Sequence, residues 1–473
     1  MRMSDAEAIM WAVEKDPALR SDFTNISILE RAPDPARVRA KVEQAIEAIP
    51  RLGDRVVAPP FRLATPEWVP DHDLDLDYHL RTVAVPAPGG MRQLLDLAAA
   101  VAATPLDRSR PLWEFTVVEG LEGGRAAFLQ KVHHTITDGV GGVKLSLSLL
   151  DFEPEPPAPP EPSATQRIAA EAEAERRAAA FADPVKRVSP ATAVEKAVSY
   201  TVRQQLGRAR SSLESATHVL ASRESARRGI DDAVRLAGSV RRQLLVTDPA
   251  RSPLLGRRSL ALRFERFNVP LTRAKAAAAK LGGSVNDVYV TGIAGALGLY
   301  HERMGVPCDE LRMAMPISTR GDDEESANSF TPARVLVPVK PKDPAARFKL
   351  VHERLHGLRD EPAVTAAGSL AGLLAALPTS MLVALTRTQA HTIDFATSNL
   401  RGSPVDLYLG GARIEANYPM GPRAACALNV TLLSYRDSLD MGINIDPAAV
   451  SDPATMIDCI DESFGALLDV GDT

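Results

Sequence analysis

Cysteine is scarce in this chain, whose 473 residues include only Cys308, Cys426 and Cys459. An odd number with no C-x-x-C spacing argues against a disulfide framework or a thiolate zinc site, and fits a reducing cytoplasm. Aromatic residues are also few and the formal charge is −5. With no basic strand interleaved with aromatics, nothing indicates attraction to nucleic acid or stacking on bases. Long apolar runs are missing with one exception, the uncharged stretch from Pro362 to Thr386, which is long enough to cross a bilayer. It is rich in Ala, Gly, Ser and Thr, and Pro378 divides it into two shorter helices, Ala363–Leu377 and Thr379–Leu385 onward. A buried or membrane-facing helix pair suits that composition better than a span. The opening Met1-Arg2-Met3-Ser4-Asp5-Ala6-Glu7 lacks the basic-then-apolar layout of a secretory signal. Ser4 and Glu7 instead have capping-box spacing, which predicts a helix through Trp11 and Val13.

The length exceeds what one hydrophobic core usually serves, so two domains and a connector are expected. The proline-dense run Glu153–Pro162 cannot continue a helix or a central strand and marks where the first domain, 1–152, ends. Residues 153–258 then read as a connector of helices interrupted at Pro184, Pro190, Pro249 and Pro253. From Lys186 to Arg258 it holds 15 basic and 6 acidic residues, a net +9 in an otherwise acidic chain. Such helices usually present a solvated face, with attraction to anionic lipid as the functional alternative.

Both flanking regions mix helix and strand, so the predicted class is α/β. In the first, Val38, Val42, Ile46 and Ile49 fall at helical spacing between Arg37 and Ile49, and Arg125 to His133 alternates as a half-buried strand would. A short apolar helix, Val143–Leu150, follows a glycine-rich turn. In the second region, 259–473, Leu260–Phe267 and Arg334–Val339 read as strands and Ser284–Met304 as a helix. Asn429–Tyr435 and Ser438–Ile445 read as a hairpin turning at Arg436-Asp437.

Between strand and helix stands the run His133-His134-Thr135-Ile136-Thr137-Asp138-Gly139. A histidine here can take a proton near neutral pH, and a carboxylate four residues on can fix its tautomer or hold the local fold. Metal binding is the weaker reading, because adjacent histidines on a strand face opposite ways and no third ligand stands nearby in sequence. Taken singly, His133 as a packed core residue and Asp138 as a helix cap would be unremarkable. His134, Asp138 and Gly139 together favour general-base chemistry.

The H-H-x-x-x-D-G run resembles the signature of the bacterial wax ester synthase/acyl-CoA:diacylglycerol acyltransferase family, related to chloramphenicol acetyltransferase and to peptide-synthetase condensation domains. Further ordered segments carry the likeness. Pro111-Leu112-Trp113 looks like the family's P-L-W motif, Asn286-Asp287 its N-D motif, and Met315-Pro316-Ile317-Ser318-Thr319-Arg320 its P-V-S-x-R segment. Ser398-Asn399 and Tyr418-Pro419-Met420-Gly421-Pro422 resemble its S-N and Y-P-x-G-P elements. Thr135 departs from the small residue usual after the histidines, and Leu400-Arg401-Gly402-Ser403 replaces V-P-G-P. The second change removes a turn-fixing proline and adds a charge, which bears on chain-length or acceptor preference.

The resemblance implies two chloramphenicol acetyltransferase-like subdomains, each a mixed sheet flanked by helices, joined by the helical connector. It also implies transfer of a fatty acyl group from acyl-CoA, a substrate and not a bound cofactor, to diacylglycerol or a long-chain alcohol. His134 would be the general base, Asp138 a conformational partner and His133 a supporting residue. The thiolate leaves readily, so no serine or cysteine nucleophile is assigned, and the divergence of the two histidines leaves no metal assigned. Asn286 and Ser318 are candidate oxyanion donors, although Asn286 also sits beside a capping pair, Ser284 and Asp287. Ser398 and Asn399 either line the acyl channel or end the preceding helix, and Pro111 and Trp113 read as wall or packing residues. A cytoplasmic enzyme peripherally bound to membrane or lipid droplets follows. The rival readings are a non-catalytic lipid-binding protein of the same fold and an acyltransferase for another hydroxyl or amine.

Overall fold

A computed structural model describes residues 1–59, 64–137, 139–156, 248–318, 330–358, 374 and 377–472. Most of the predicted connector, residues 157–247, and the predicted helix from Ala363 up to residue 373 lie outside them, as does Asp138. The chain forms two compact units. The smaller gathers Met1–Met3, Val56–Val69 and Glu155–Asp231; within it Trp68 N–H donates to Met1 O and Met3 N–H to Pro66 O. The larger holds Ser4–Arg55, Pro70–Pro154 and Asp232–Thr473, and contains both six-stranded sheets.

Its first six-stranded sheet is built largely from the N-terminal region. It contains β1 (Asp22–Leu29), β4 (Leu80–Ala84), β5 (Trp113–Glu119) and β6 (Ala126–His133), with a short ribbon of β2 (Asp54–Val57) and β3 (Glu67–Pro70) separate from it. The sheet is completed from far along the chain by β11 (Tyr408–Leu409) and β12 (Ala412–Met420), giving the order β11-β12-β1-β6-β5-β4. β12 runs antiparallel to β1, with Thr24 opposite Met420 and Ser27 opposite Asn417. The second sheet contains β7 (Arg263–Pro270), β8 (Glu310–Ser318), β9 (Phe330–Pro338), β10 (Phe395–Arg401), β13 (Leu428–Tyr435) and β14 (Ser438–Ile445), in the order β7-β14-β13-β10-β8-β9. Both are mixed: β4 and β5 are parallel, as β10 is to β8 and β13, and the other pairs are antiparallel. Asp440 of β14 accepts the Asn417 N–H of β12 at 2.8 Å and so ties the sheets together.

Helices cover these sheets. α1 (Asp5–Val13) starts with the predicted capping box, α2 (Pro35–Ala48) follows the predicted stripe, α3 (Met91–Ala103) packs on the first sheet, and α4 (Gly139–Ser148) follows the histidines. The second sheet carries α5 (Leu271–Leu281), α6 (Val285–Arg303), α7 (Pro344–Leu358), α8 (Thr379–Ala390) and α9 (Pro453–Asp472). α6 is buried nearly all round. Its glycines make that packing possible: a Cβ at Gly292 would meet the Phe464 ring at 2.4 Å, and one at Gly298 the Val339 carbonyl at 2.3 Å. α8 begins directly after Pro378, as the proline required.

Three expectations need correction. β6 is buried on both faces, not one, because α3 packs over Ala127 and Leu129 on one side while α4 lies against the other, where the Ser146 hydroxyl donates to Gln130. The strand expected at Leu260–Phe267 starts at Arg263, since pairing with β14 runs from Arg263 opposite Ile445 to Pro270 opposite Ser438, while Ser259 is bound instead by the Asp446 carboxylate. The helix after the histidines starts at Gly139, not Val143. Gly142 allows this, because a Cβ there would press on the Phe23 ring at 3.1 Å. The hairpin formed as predicted, with Arg436 taking the positive φ the two-residue turn demands.

Candidate active site

β6 ends at His133, and the chain turns there. His133 N–H donates to Leu112 O, next to β5, and His134 N–H donates to Ser21 O, just before β1, so both neighbouring strands hold the two residues. The side chains part to opposite sides, as strand alternation predicts.

His133 points into the protein and is 2% exposed. Thr135 N–H donates to its Nδ1 at 3.0 Å, which selects the tautomer with the hydrogen on Nε2, and Nε2 donates to Glu14 Oε1 at 2.6 Å. Glu14 caps the C-terminal end of α1 and also accepts the Ser21 N–H at 2.8 Å. Burial works to raise its carboxyl, but the His133 imidazole, the Ser21 amide and the Arg108 guanidinium together hold it below its ordinary value. Arg108 lies over the Trp11 ring, 3.3 Å from its centroid. Burial pushes the Asp22 carboxyl up and the Lys131 ammonium down; Lys131 donates to the carbonyls of Val101 and Thr104.

Glu14, Asp22 and His133 bring three potential ligand atoms within 4.8 Å of one another. The third metal ligand that spacing along the chain did not offer is thus supplied by folding. The close His133 to Glu14 hydrogen bond and the surrounding cations make this set an internal charge network that supports the strand end.

The turn beyond is held independently. Arg51 donates to Thr135 O at 2.7 Å and pairs with Glu7, whose other carboxylate oxygen closes the α1 capping box on Ser4 N–H. The Thr135 hydroxyl lies 2.7 Å from His133 Nδ1, so the departure from a small residue at this position adds a contact to the inward histidine.

His134 faces the other way, onto a cavity of about 470 Å³. Its ring packs at a tilt on Phe23, with centroids 5.0 Å apart. The wall beside it is formed by Phe23 and Asn25 of β1 and by Gly142, Val143, Ser146 and Leu147 of α4. The lining also includes residues 396–400 of β10, Thr431 and Leu433 of β13, and Asn417 and Pro419 of β12. Leu150, Leu407, Leu433 and Tyr435 add an apolar portion, within the size range of pockets for small lipophilic ligands.

The remaining motif residues divide clearly. Ser398 and Asn399 line the cavity. Asn399 Nδ2 donates to Asn286 Oδ1 at 3.1 Å, so Asn286 meets the cavity wall at second hand, from the first turn of α6. Asp287 closes the capping box with Ser284 and takes a hydrogen bond with His352 Nδ1 at 3.0 Å, as its spacing predicted for a structural residue. Ser318 ends β8, and its side chain lies outside the described residues. Pro111 and Trp113 are buried away from the cavity; the Trp113 indole donates to Leu52 O at 2.8 Å and stacks on His79, centroids 4.5 Å apart. Gly139 opens α4, and the substituted segment after Asn399 contributes Leu400, Gly402 and Ser403 to the lining. Sequence reasoning missed Glu14, Asp22, Arg51, Phe23, Asn25 and Asn417. The polar residues Asn25 and Ser27, alternating with Ile26 and Ile28, were the one available signal, and they read as readily as a solvent face.

Comparison with known proteins adds the following. The model of the wax ester synthase/diacylglycerol acyltransferase catalytic domain matches residues 3–289, and that of the family's C-terminal domain matches residues 327–468. A Mycobacterium tuberculosis protein named as a diacylglycerol O-acyltransferase is 34% identical over 474 residues, covering 99% of this chain and 92% of its own length. A second from that organism, named likewise, is 30% identical and covers 92% of this chain and 89% of its own. In fold, the chain is similar to the wax ester synthase/diacylglycerol acyltransferase of Marinobacter aquaeolei, with a TM-score of 0.62 at 22% identity and complete coverage of both. It is also similar to the first condensation domain of the calcium-dependent antibiotic synthetase, with a TM-score of 0.59 at 15% identity, covering 100% of this chain and 97% of that one.

Proposed function

Since the chain belongs to the wax ester synthase/diacylglycerol acyltransferase family and is an acyltransferase, we propose that it transfers a long-chain acyl group from acyl-CoA to the hydroxyl of diacylglycerol, and to long-chain alcohols, with His134 as general base. The observation that carries this reading is the exposure of His134 to a largely apolar cavity while its neighbour is locked into a charge network. An alcohol is too weak an acid to attack a thioester unaided. His134 takes the hydroxyl proton as the oxygen bonds to the thioester carbon, and the resulting tetrahedral intermediate expels the thiolate of coenzyme A, which leaves with that proton. A base so positioned accelerates attack by about 10² to 10⁴.

His133 is a positioning residue in this scheme: its hydrogen bond to Glu14 fixes the strand end from which His134 projects. Asp138 is assigned to holding the conformation of the same turn, and Gly139 to opening the helix behind it. Oxyanion stabilisation falls to the Asn286–Asn399 pair or to Ser318. Acyl-CoA is consumed as substrate, so no resident cofactor takes part. Among the described residues no helix is long and apolar enough to cross a membrane, and a peripheral stance at a membrane or lipid droplet matches the solubility of the acceptors. The three sequence regions, 1–152, 153–258 and 259–473, then serve as acyltransferase half, basic connector and acyltransferase half.

The test is release of coenzyme A and formation of neutral lipid from palmitoyl-CoA with dispersed diacylglycerol or hexadecanol, using wild-type and His134→Ala protein. Turnover by the wild type and its loss in the variant support the proposal; full activity in His134→Ala refutes the base assignment.

A further inference from the structure

We infer that Arg401, at the rim of the His134 cavity, receives the phosphates of coenzyme A and so sets how well acyl-CoA binds. The inference rests on the acyl-transfer reading above and names the group that recognises the anionic end of the donor. Arg401 is the last residue of β10 and stands where the motif noted above has proline. Its neighbours on both sides, Leu400 and Gly402, line the cavity, while Arg401 itself is exposed. Among the described residues its guanidinium forms no hydrogen bond or ion pair. Arg436, whose N–H donates to Ser403 O in the same loop, is by contrast paired with Asp406 at 3.1 Å.

The strand registers give its distance from the histidine. His133 lies opposite Asp22 and Met420 opposite Thr24, so Pro422 is level with the histidines. Asn429 Nδ2 donates to Pro422 O at 2.9 Å, which brings the start of β13, and Ala396 of β10 beside it, to the same level. β13 runs away from there, since the Tyr435 hydroxyl donates to Ile414 O, opposite Leu29. β10 is parallel to β13, so Arg401 lies five residues further from His134 than Ala396 does, about 17 Å along the strand. In coenzyme A about 13 bonds separate the sulfur from the first phosphorus, an extended reach of about 16 Å. A thioester placed at His134 therefore carries its diphosphate to Arg401. Ser398 and Asn399 lie along that path in the cavity wall, where they can meet the amides of the arm.

The forked N–H donors of a guanidinium match the oxygens of a phosphate two at a time. Because Arg401 is exposed, water and salt screen it, and the gain is that of a surface ion pair, about fivefold in affinity. The phosphates take no part in the bond changes at the thioester. Their contact is made equally in the ground and transition states, so it lowers KM and leaves kcat alone.

The experiment compares palmitoyl-CoA with palmitoyl-pantetheine, which lacks the phosphates, as donors to 1-hexadecanol dispersed in a neutral detergent, for wild type, Arg401→Gln and Arg401→Lys. Wild type should favour palmitoyl-CoA in kcat/KM. Arg401→Gln should lower that preference about fivefold, through KM, and Arg401→Lys, which keeps the charge, should retain most of it. The ratio of the two donors within each protein is the readout, because partial loss of folded enzyme scales both equally. A ratio unchanged in Arg401→Gln overturns the inference, as does an Arg401→Lys protein no better than Arg401→Gln. Vesicles of phosphatidylglycerol separate the other source of phosphate: if Arg401→Gln keeps the donor ratio but loses binding to the vesicles, the residue meets a lipid headgroup and the inference falls. Calorimetric titration with coenzyme A and with pantetheine reads the contact without turnover. A wild type that transfers nothing, yet binds coenzyme A with a preference that Arg401→Gln lowers, would sink the acyl-transfer reading and leave this contact standing.

Discussion

His133 and His134 share one side chain and one strand end, yet they inhabit different surroundings. The inward residue has both ring nitrogens engaged, by Glu14 and Thr135, within a packed group that also contains Asp22, Lys131 and Arg108. The outward residue touches Phe23 and opens onto a cavity between the two sheets. Imidazole chemistry is common to both, so the difference comes from the face of the strand on which each lies. One face needs a fixed hydrogen-bonding partner to be buried at all; the other leaves a ring beside the cavity. On the proposed mechanism the pair separates stability from catalysis within two consecutive residues.

Changes in the packed surroundings of the strand end should break that separation most visibly in stability. Trp113→Ala removes a fully buried ring of β5, paired beside Val132 of the histidine strand, and its bond to Leu52 O, and should cost about 3–5 kcal/mol. Chemical denaturation will measure this, with activity falling only as folded protein is lost. Glu14→Ala leaves the His133 Nε2–H without its acceptor, at a cost of about 1–3 kcal/mol, whereas Glu14→Gln keeps an acceptor and should lose less.

Acid offers a third probe of this face. The Glu14 carboxyl is held below its ordinary 4.5 in the folded protein, so its contribution is present above pH 4.5 and is lost as the pH falls below that value. Thermal melts across this range should show wild type losing more stability than Glu14→Gln; parallel losses would show that the charge of Glu14 is not what matters. On the cavity face the smallest effect is expected from Gly142→Ala. Its new Cβ meets the edge of the Phe23 ring at 3.1 Å and should lower stability by about 1 kcal/mol while displacing the ring that supports His134. A modest loss of kcat with near-wild-type melting would support the base role proposed for His134.

Local rules made much of the fold legible in the sequence. The capping boxes at Ser4 and Ser284, the α2 stripe, the helix start at Pro378 and the hairpin at Arg436-Asp437 depend on residues within a few positions of each other, and all appear. What escaped reading depends on distant partners. β6 looked half-buried because its second cover comes from elements that periodicity cannot locate, and β12 joins the first sheet from almost 400 residues beyond β1. The candidate site divides the same way. Strand alternation anticipated that His133 and His134 would part, and the capping pattern anticipated that Asp287 is structural. Glu14, 119 residues before His133, had no signal of its own, and Asn25 gave one that suited solvent equally well.

The central claim is that His134 alone of the pair performs chemistry, and the most direct measurement sets His134→Ala beside His133→Ala, recording acyl-transfer rate per folded molecule and melting temperature for each. His134→Ala should lose about 10² to 10⁴ in rate while melting as wild type does, and His133→Ala should melt at a clearly lower temperature. A His134→Ala protein that is folded and fully active would contradict the account.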